Sequence, residues 1–591
     1  MIVEGKRFEL SVNRYPGGVL HPQGFAHLVS FLLDPFPVFR YQIGEISIEK
    51  TVFMVHGENT TIVQYTVVGD RGCTLEVRPL VAFRDYHTLT HENAALHNGY
   101  VEDGMHVLFQ PYDGVPTIFF GYESGKLEKT GDWYRNFEYD RERERGLDFL
   151  EDLFNPFLIN VELYPKATTS IVASTSRQEA ADINLLREQE RQRRREVAAR
   201  VSFENRLTRT LVTAADQYIV KRGQGRTILA GYHWFSDWGR DTMIALPGIT
   251  LITGRHAAAR AILGEFALHV SQGMLPNRFP DAGEEPEYNT VDAALWYFEA
   301  TRAYLRYTGD QEFVLEQIYP KLKEIIDWYV AGTRYGIHVD ADGLVHAGEA
   351  GTQLTWMDAK IGDFVVTPRQ GKPVEIQALW YNALCIYQNL ARTAGDRSTE
   401  AFALEIAQHA HENFERLFWN EELECLYDVV DGDRRDSSIR PNQIFAASLR
   451  HPLVGSERGK KVLLVVEKNL LTPLGLRSLA PSDPNYRPTY GGSVASRDCA
   501  YHEGTVWPWL MGPFITAYLK VHRRSSEAVA KAKLWLRPFE EHLRTAGLGH
   551  ISEIADGNAP HRPRGCIGQA WSVGELLRAI AEDVFEITAG A

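Results

Sequence analysis

Two tryptophans, an arginine and two aspartates fall inside one short run, Trp234-Phe235-Ser236-Asp237-Trp238-Gly239-Arg240-Asp241, which leads into an apolar helical pattern. An indole face matches the apolar C–H face of a sugar ring. An arginine beside an aspartate, here Arg240 and Asp241, can hold neighbouring hydroxyls in fixed directions. The same run also reads as a helix N-terminus, with Asp237 or Asp241 capping orphan N–H groups above packed tryptophans. Composition leaves both readings open.

Further chemistry-bearing groups sit between the later helical patterns. In Tyr288-Asn289-Thr290-Val291-Asp292, Thr290 reads as a helix cap, and Asn289 and Asp292 then point near the same end. Asp358 follows Trp356 and Met357 in a stretch with no helical period. Partial desolvation there favours the protonated carboxyl, which a general acid requires. The alternative is an aspartate that orders the turn leading to Gly362. Tyr501-His502-Glu503-Gly504-Thr505-Val506-Trp507-Pro508-Trp509 opens another helix, its aromatics either a sugar-binding wall or core. His502 and Glu503 have no third ligand spaced for a metal. Glu553 lies between Ile551 and Ile554, before the turn at Asp556-Gly557, and reads as a site carboxylate or a surface one.

These residues need elements to position them. Residues 1–176 read as a β-sandwich. Thr51–His56 and Thr61–Val68 flank a hairpin signal, and Cys73–Phe83, Val107–Phe109, Thr117–Phe120 and Asn160–Tyr164 continue the pattern. Arg177–Val201 reads as a helical linker, because glutamates intersperse its Arg193–Arg195 run. From Phe203 the helical period recurs about twelve times, ending in Gly568–Ile587. Gly254, Gly309, Gly395 and Gly547 stand where left-handed C-caps belong. Twelve helices in antiparallel pairs over 202–591 suit a closed ring, six inside six, with the loops gathered at one mouth.

The 591-residue chain carries a formal charge of −14, which argues against nucleic acid as a partner. Five dispersed cysteines without a Cys-x-x-Cys pair fit a reducing compartment and no zinc site. No apolar run is long enough for a membrane span, and the N-terminus shows no secretory pattern. A cytoplasmic protein is expected. Gly121–Leu127 misses the phosphate-loop spacing, Gly491–Ala495 the nucleophile elbow, and His91-Glu92 the zincin offset.

The opening run resembles the signature of the glucosidase domain of glycogen debranching enzymes, a glucoamylase-like family. Thr355–Lys360, Tyr501–Trp509 and Gln569-Ala570-Trp571-Ser572 look like further landmarks of that domain, in the same order. Phe137-Glu138-Tyr139 and Arg145-Gly146-Leu147-Asp148-Phe149 are similar to the β-rich domain that precedes it in bacterial and archaeal members. The resemblance implies an (α/α)6 toroid and inverting hydrolysis of α-1,6-linked glucosyl stubs on branched α-glucans, without cofactor or metal. It implies Asp358 as the acid and Glu553 as the base. It also implies that Arg240 and Asp241 hold the terminal glucose, with Trp238 or Trp356 stacked on it. Asn289, Asp292, Lys360, His502, Glu503, Trp507, Gln569 and Trp571 complete the expected substrate ring.

An inverting pair must stand about 6.5–9.5 Å apart with a water between. Glu503, a second carboxylate beside a landmark, competes with Glu553 for the base. The 1–176 segment is too short and too β-rich for the (β/α)8 glucanotransferase half of eukaryotic members, so transferase activity is not implied. Rival readings are another exo-acting enzyme on the same scaffold (an α-1,4 glucoamylase, a trehalase-like hydrolase or a disaccharide phosphorylase) and a non-catalytic glycan-binding protein.

Overall fold

The computed structural model describes residues 1–179, 182–201, 205–280 and 285–586. The positions at which the sequence pattern starts and ends the helical part, 203 and 587, lie outside the described residues. The chain divides into two compact units, Met1–Glu196 and Val197–Ala591. Among the described residues no helix is long and apolar enough to cross a membrane.

The first unit is a sandwich of an eight-stranded and a five-stranded antiparallel sheet. Its core forms where alternate residues of the two sheets meet: Ile48, Val67, Phe109 and Phe120 from one, Leu75, Phe154, Phe157 and Val161 from the other. The expected hairpin is present, Ile46–Met54 pairing with Thr60–Val67. The 13-residue strand Lys126–Glu138 is mostly polar and carries no apolar alternation to reveal it. Helix Ile183–Ala199 lays Ile183 among Phe36, Phe53, Ile62 and Val172 on the other face of the larger sheet. Its arginines are engaged locally: Arg193 and Arg194 both bond Glu190, and Arg194 also reaches the Pro35 carbonyl. The helix therefore docks on the sheet rather than standing in solvent.

The second unit is an (α/α)6 toroid. Helices Gly239–Leu246, Asp292–Thr308, Val374–Ala394, Phe445–Ser448, Met511–Val521 and Ala570–Arg578 each pack on the next, and the last packs on the first. Helices Arg206–Tyr218, His256–Leu268, Tyr319–Ala331, Arg397–Phe418, Ser456–Asn469 and Ser526–Thr545 form the outer layer. Inner helices are buried nearly all round, as in Gly239–Leu246, whereas outer ones present an apolar stripe inward. The ring closes through a glycine contact: a Cβ on Gly248 would lie 1.9 Å from the Gly574 carbonyl oxygen. Gly309 and Gly395 end their helices in the left-handed region. Gly547 does not, because Ala546 closes that helix. An additional short helix, Val494–Tyr501, was not legible in the apolar pattern, since its first half is exposed.

Candidate active site

Chemistry-bearing residues cluster where the inner helices begin. Arg240 and Asp241 occupy the first turn of Gly239–Leu246, Asp292 that of Asp292–Thr308, and Trp571 that of Ala570–Arg578. A helix N-terminus carries partial positive charge, which suits buried carboxylates there. A cavity of about 240 Å³ opens among these ends. Trp238, Trp356, Trp507 and Trp571 form much of its wall. Arg240, Asp241, Asn289, Asp358, His502, Glu553 and Gln569 complete the expected residues that line it. Asp358 and Glu553, 195 positions apart in the chain, thus face one hollow.

Arg240 is the buried hinge of the site. Its Nε donates to Asp292 Oδ1 at 2.8 Å, one terminal nitrogen to Asp358 Oδ2 at 2.9 Å and the other to Thr290 Oγ1 at 3.0 Å. Burial works against its charge, but Asp292 and Asp358 outweigh burial and hold its pKa above the ordinary value. Asp292 sits behind Arg240, 1% exposed, and does not line the cavity. Thr290 is not the cap expected from the sequence: Val291 stands at the N-cap position, and the Thr290 hydroxyl donates to Asp292.

The carboxylates live in different surroundings. Asp358 keeps 29% of its side chain exposed. Desolvation raises its pKa, and Arg240 offsets part of that rise. Burial lifts Asp241 to about 7, opposed by Arg240 and reinforced by Glu553 and Asp358. Gln569 donates to Asp241 Oδ2 at 3.1 Å. Glu553 receives the Tyr501 hydroxyl on Oε1 and the Cys566 backbone N–H on Oε2 at 2.8 Å. Both partners donate, so Glu553 accepts at both oxygens. Burial and Glu553 together push the Tyr501 phenol far above its usual pKa, so it stays a donor.

His502 stacks on Trp507 at 5.2 Å and meets the edge of Trp356 at 5.4 Å. Burial, with Arg440 and Arg240 nearby, drives its pKa well below the usual value, so the ring is neutral. Among the described residues no three His, Cys, Asp or Glu side chains group as a metal site.

Two more expected residues lie away from the cavity. The Lys360 ammonium bonds the Gly351 carbonyl, at the base of a hairpin that turns outward after Asp358. Glu503 is turned away from the hollow and held by Arg440 at 2.9 Å and by the Thr367 hydroxyl at 2.7 Å. Phe235, Asn277, Glu287, Gln353 and Tyr501 line the cavity without having been singled out. Tyr501 and Phe235 stood inside motifs already noted, whereas Gln353 has no local signal.

The amylo-alpha-1,6-glucosidase family model matches residues 213–578. This chain belongs to that family. The family's members are glycoside hydrolases, and the matched span contains every residue of the cavity. A second model, that of the glycogen debranching enzyme N-terminal domain, matches residues 1–170. The glycogen debranching enzyme of Saccharomyces cerevisiae is 28% identical over 377 residues. That match covers 49% of this chain and 24% of the yeast protein, so the chain spans about a quarter of that relative's length. A bacterial glucoamylase solved in complex with acarbose shares the fold, with a TM-score of 0.60 at 12% identity, over 94% of this chain and 84% of that one. Glu553 lines the cavity together with Asp358, whereas Glu503 does not line it and is held by Arg440.

Proposed function

We propose that this chain releases glucose from α-1,6-linked branch stubs of glycogen or a related branched α-glucan, with inversion at the anomeric carbon. The observation that carries the reading is the pairing of unlike carboxyls in one sugar-sized cavity: Asp358 with a raised pKa and Glu553 holding two donors. Such a division supplies one acid and one base. Asp358 gives its proton to the glycosidic oxygen as the C1–O bond breaks. Water attacks C1 from the opposite face and passes a proton to Glu553. Arg240 and Asp241 hold hydroxyls of the terminal glucose, and Asn289, Gln569, Trp507 and Trp571 enclose the ring. The family description and the yeast relative's name support the α-1,6 linkage and glycogen as the substrate class.

Water fits this cavity better than phosphate as the attacking group. Arg240 is the sole Lys or Arg lining it among the described residues, and two carboxylates already bond it. An incoming phosphate would meet the Glu553 carboxylate, with Arg240 already paired to Asp292 and Asp358. The setting is a reducing compartment, the cytoplasm, in keeping with five dispersed cysteines.

Real-time proton NMR on a singly branched oligosaccharide tests the reading. The expected first product is β-glucose from the branch point. Appearance of α-glucose, of a glucose phosphate, or of no glucose overturns it.

A further inference from the structure

Two arginines and three carboxylates are buried beneath the cavity wall, and the chemistry above uses none of them. Arg369 bonds Glu375 through both terminal nitrogens and Asp428 through Nε at 2.7 Å. Arg440 holds Glu503 at 2.9 and 3.0 Å and approaches Asp428 at 4.0 Å. All five side chains are at most 7% exposed. None of the five lines the cavity.

Buried ion pairs are poor stability devices, because well-packed apolar residues of similar size often do as well. What this cluster does differently is reach the two catalytic neighbourhoods. On the acid side, Arg369 donates to Thr355 Oγ1 at 3.2 Å. Asp428 accepts from Asn442 at 2.8 Å, and Asn442 in turn accepts the Trp356 indole N–H at 2.8 Å. Asn442 also lies 3.5 Å from Met357 Sδ. The three residues before Asp358 are therefore all tied to one cluster. On the base side, Arg440 donates to the His502 carbonyl at 2.7 Å. His502 adjoins Tyr501, whose hydroxyl holds Glu553. Asp428, facing both arginines, joins the halves.

We infer that this buried cluster fixes the acid relative to the base: Arg369 and Asp428 are positioning residues for Asp358, and Arg440 and Glu503 are positioning residues for the turn that carries Tyr501. The inference rests on the proposed roles of Asp358 and Glu553. Catalytic groups must be held to a fraction of an ångström, and their supporting partners typically carry ten- to hundredfold effects on activity.

A substrate that needs no acid separates the two halves. In α-glucosyl fluoride the C1–F bond breaks to release fluoride, which leaves without a proton, while water still gives its proton to the base. Two benchmarks come first. Asp358→Asn is expected to lose the branched substrate and keep the fluoride, and Glu553→Gln to lose both. If they behave otherwise, the proposed function fails, not the cluster's role.

Thr355→Val removes one hydroxyl at constant volume, and Asp428→Asn removes the charge that joins the arginines. Thr355→Val should lower kcat on the branched oligosaccharide by about 10- to 100-fold, with KM within about threefold and fluoride hydrolysis close to wild type. Asp428→Asn, at the residue that faces both arginines, should lower kcat on both substrates. Glu503→Gln should lower kcat on both substrates by a similar factor. Should Asp428→Asn not fold, Thr355→Val decides alone. Wild-type kcat for Thr355→Val on the branched substrate, or equal losses by that variant on both substrates, overturns the inference, since loss of general packing would not distinguish the leaving groups.

Discussion

The Arg240 guanidinium donates to Asp358 across 2.9 Å, and that bond opposes the effect of burial on the carboxyl. The cavity's desolvation favours the protonated carboxyl, and the nearby cation favours the ionised one. Desolvation wins, and the net shift is upward.

With Asp358 as the proposed acid, kcat on a branched substrate should fall as pH rises through its raised pKa. Asp358→Asn should lower kcat by about 10²- to 10⁴-fold and abolish that basic limb. A pH–kcat profile of both proteins checks this. A variant that keeps the limb removes Asp358 from the acid role.

Asp241 predicts a stability effect of opposite sense to its functional one. Its folded pKa of about 7 lies above the ordinary value of 3.8. The folded state therefore binds the proton more tightly. That contribution is complete below about pH 4 and is lost as pH rises through 7. Asp241→Asn should lose glucose release yet melt about 2–4 °C higher than wild type at pH 8, with the difference vanishing near pH 4. Calorimetry at the two pH values measures it, and a variant that melts lower at pH 8 contradicts the buried-charge account.

The tryptophans divide by burial. Trp238 is half-buried at the cavity wall, whereas Trp356 is 3% exposed and boxed edge-on by His502, Trp507 and Trp509. Trp238→Ala should raise KM roughly 5- to 30-fold through about 1–2 kcal/mol of lost apolar contact, with little change in melting temperature. Trp356→Ala should cost about 3–5 kcal/mol of stability. Steady-state kinetics beside thermal melts separates them, and the reverse pattern would assign the stacking face to Trp356.

Gly565 backs Glu553, the proposed base. Its φ of +64° favours glycine, and a Cβ there would lie 2.2 Å from Glu553 Oε2. Gly565→Ala should lower kcat more than tenfold, or roughly 1.4 kcal/mol in the barrier, by displacing that oxygen. Near-wild-type turnover in a folded variant means that the Glu553 side chain tolerates displacement and is not the base.

The helices of the ring were legible in the sequence because their evidence is local. An apolar period such as that of Asp292–Thr308, closed by Gly309, lies within about twenty consecutive residues. The opening motif likewise placed Arg240 and Asp241 at a helix start from neighbouring residues alone. Strand Lys126–Glu138 and helix Val494–Tyr501 were not legible, because exposed faces impose no apolar pattern on a sequence. Asp292 and Lys360 read like ligand-facing groups, yet one backs Arg240 and the other bonds the Gly351 carbonyl. Glu503 and Glu553 look alike in sequence, each a lone carboxylate near a turn. Their difference arises from what arrives across the fold: Arg440, 63 positions away, claims one, and Tyr501, 52 positions away, claims the other. Periodicity and caps are written in adjacent residues, so the chain alone determined the ring's elements. The charge environment of a carboxyl is summed over space, so only the closed toroid decided which one faces the cavity.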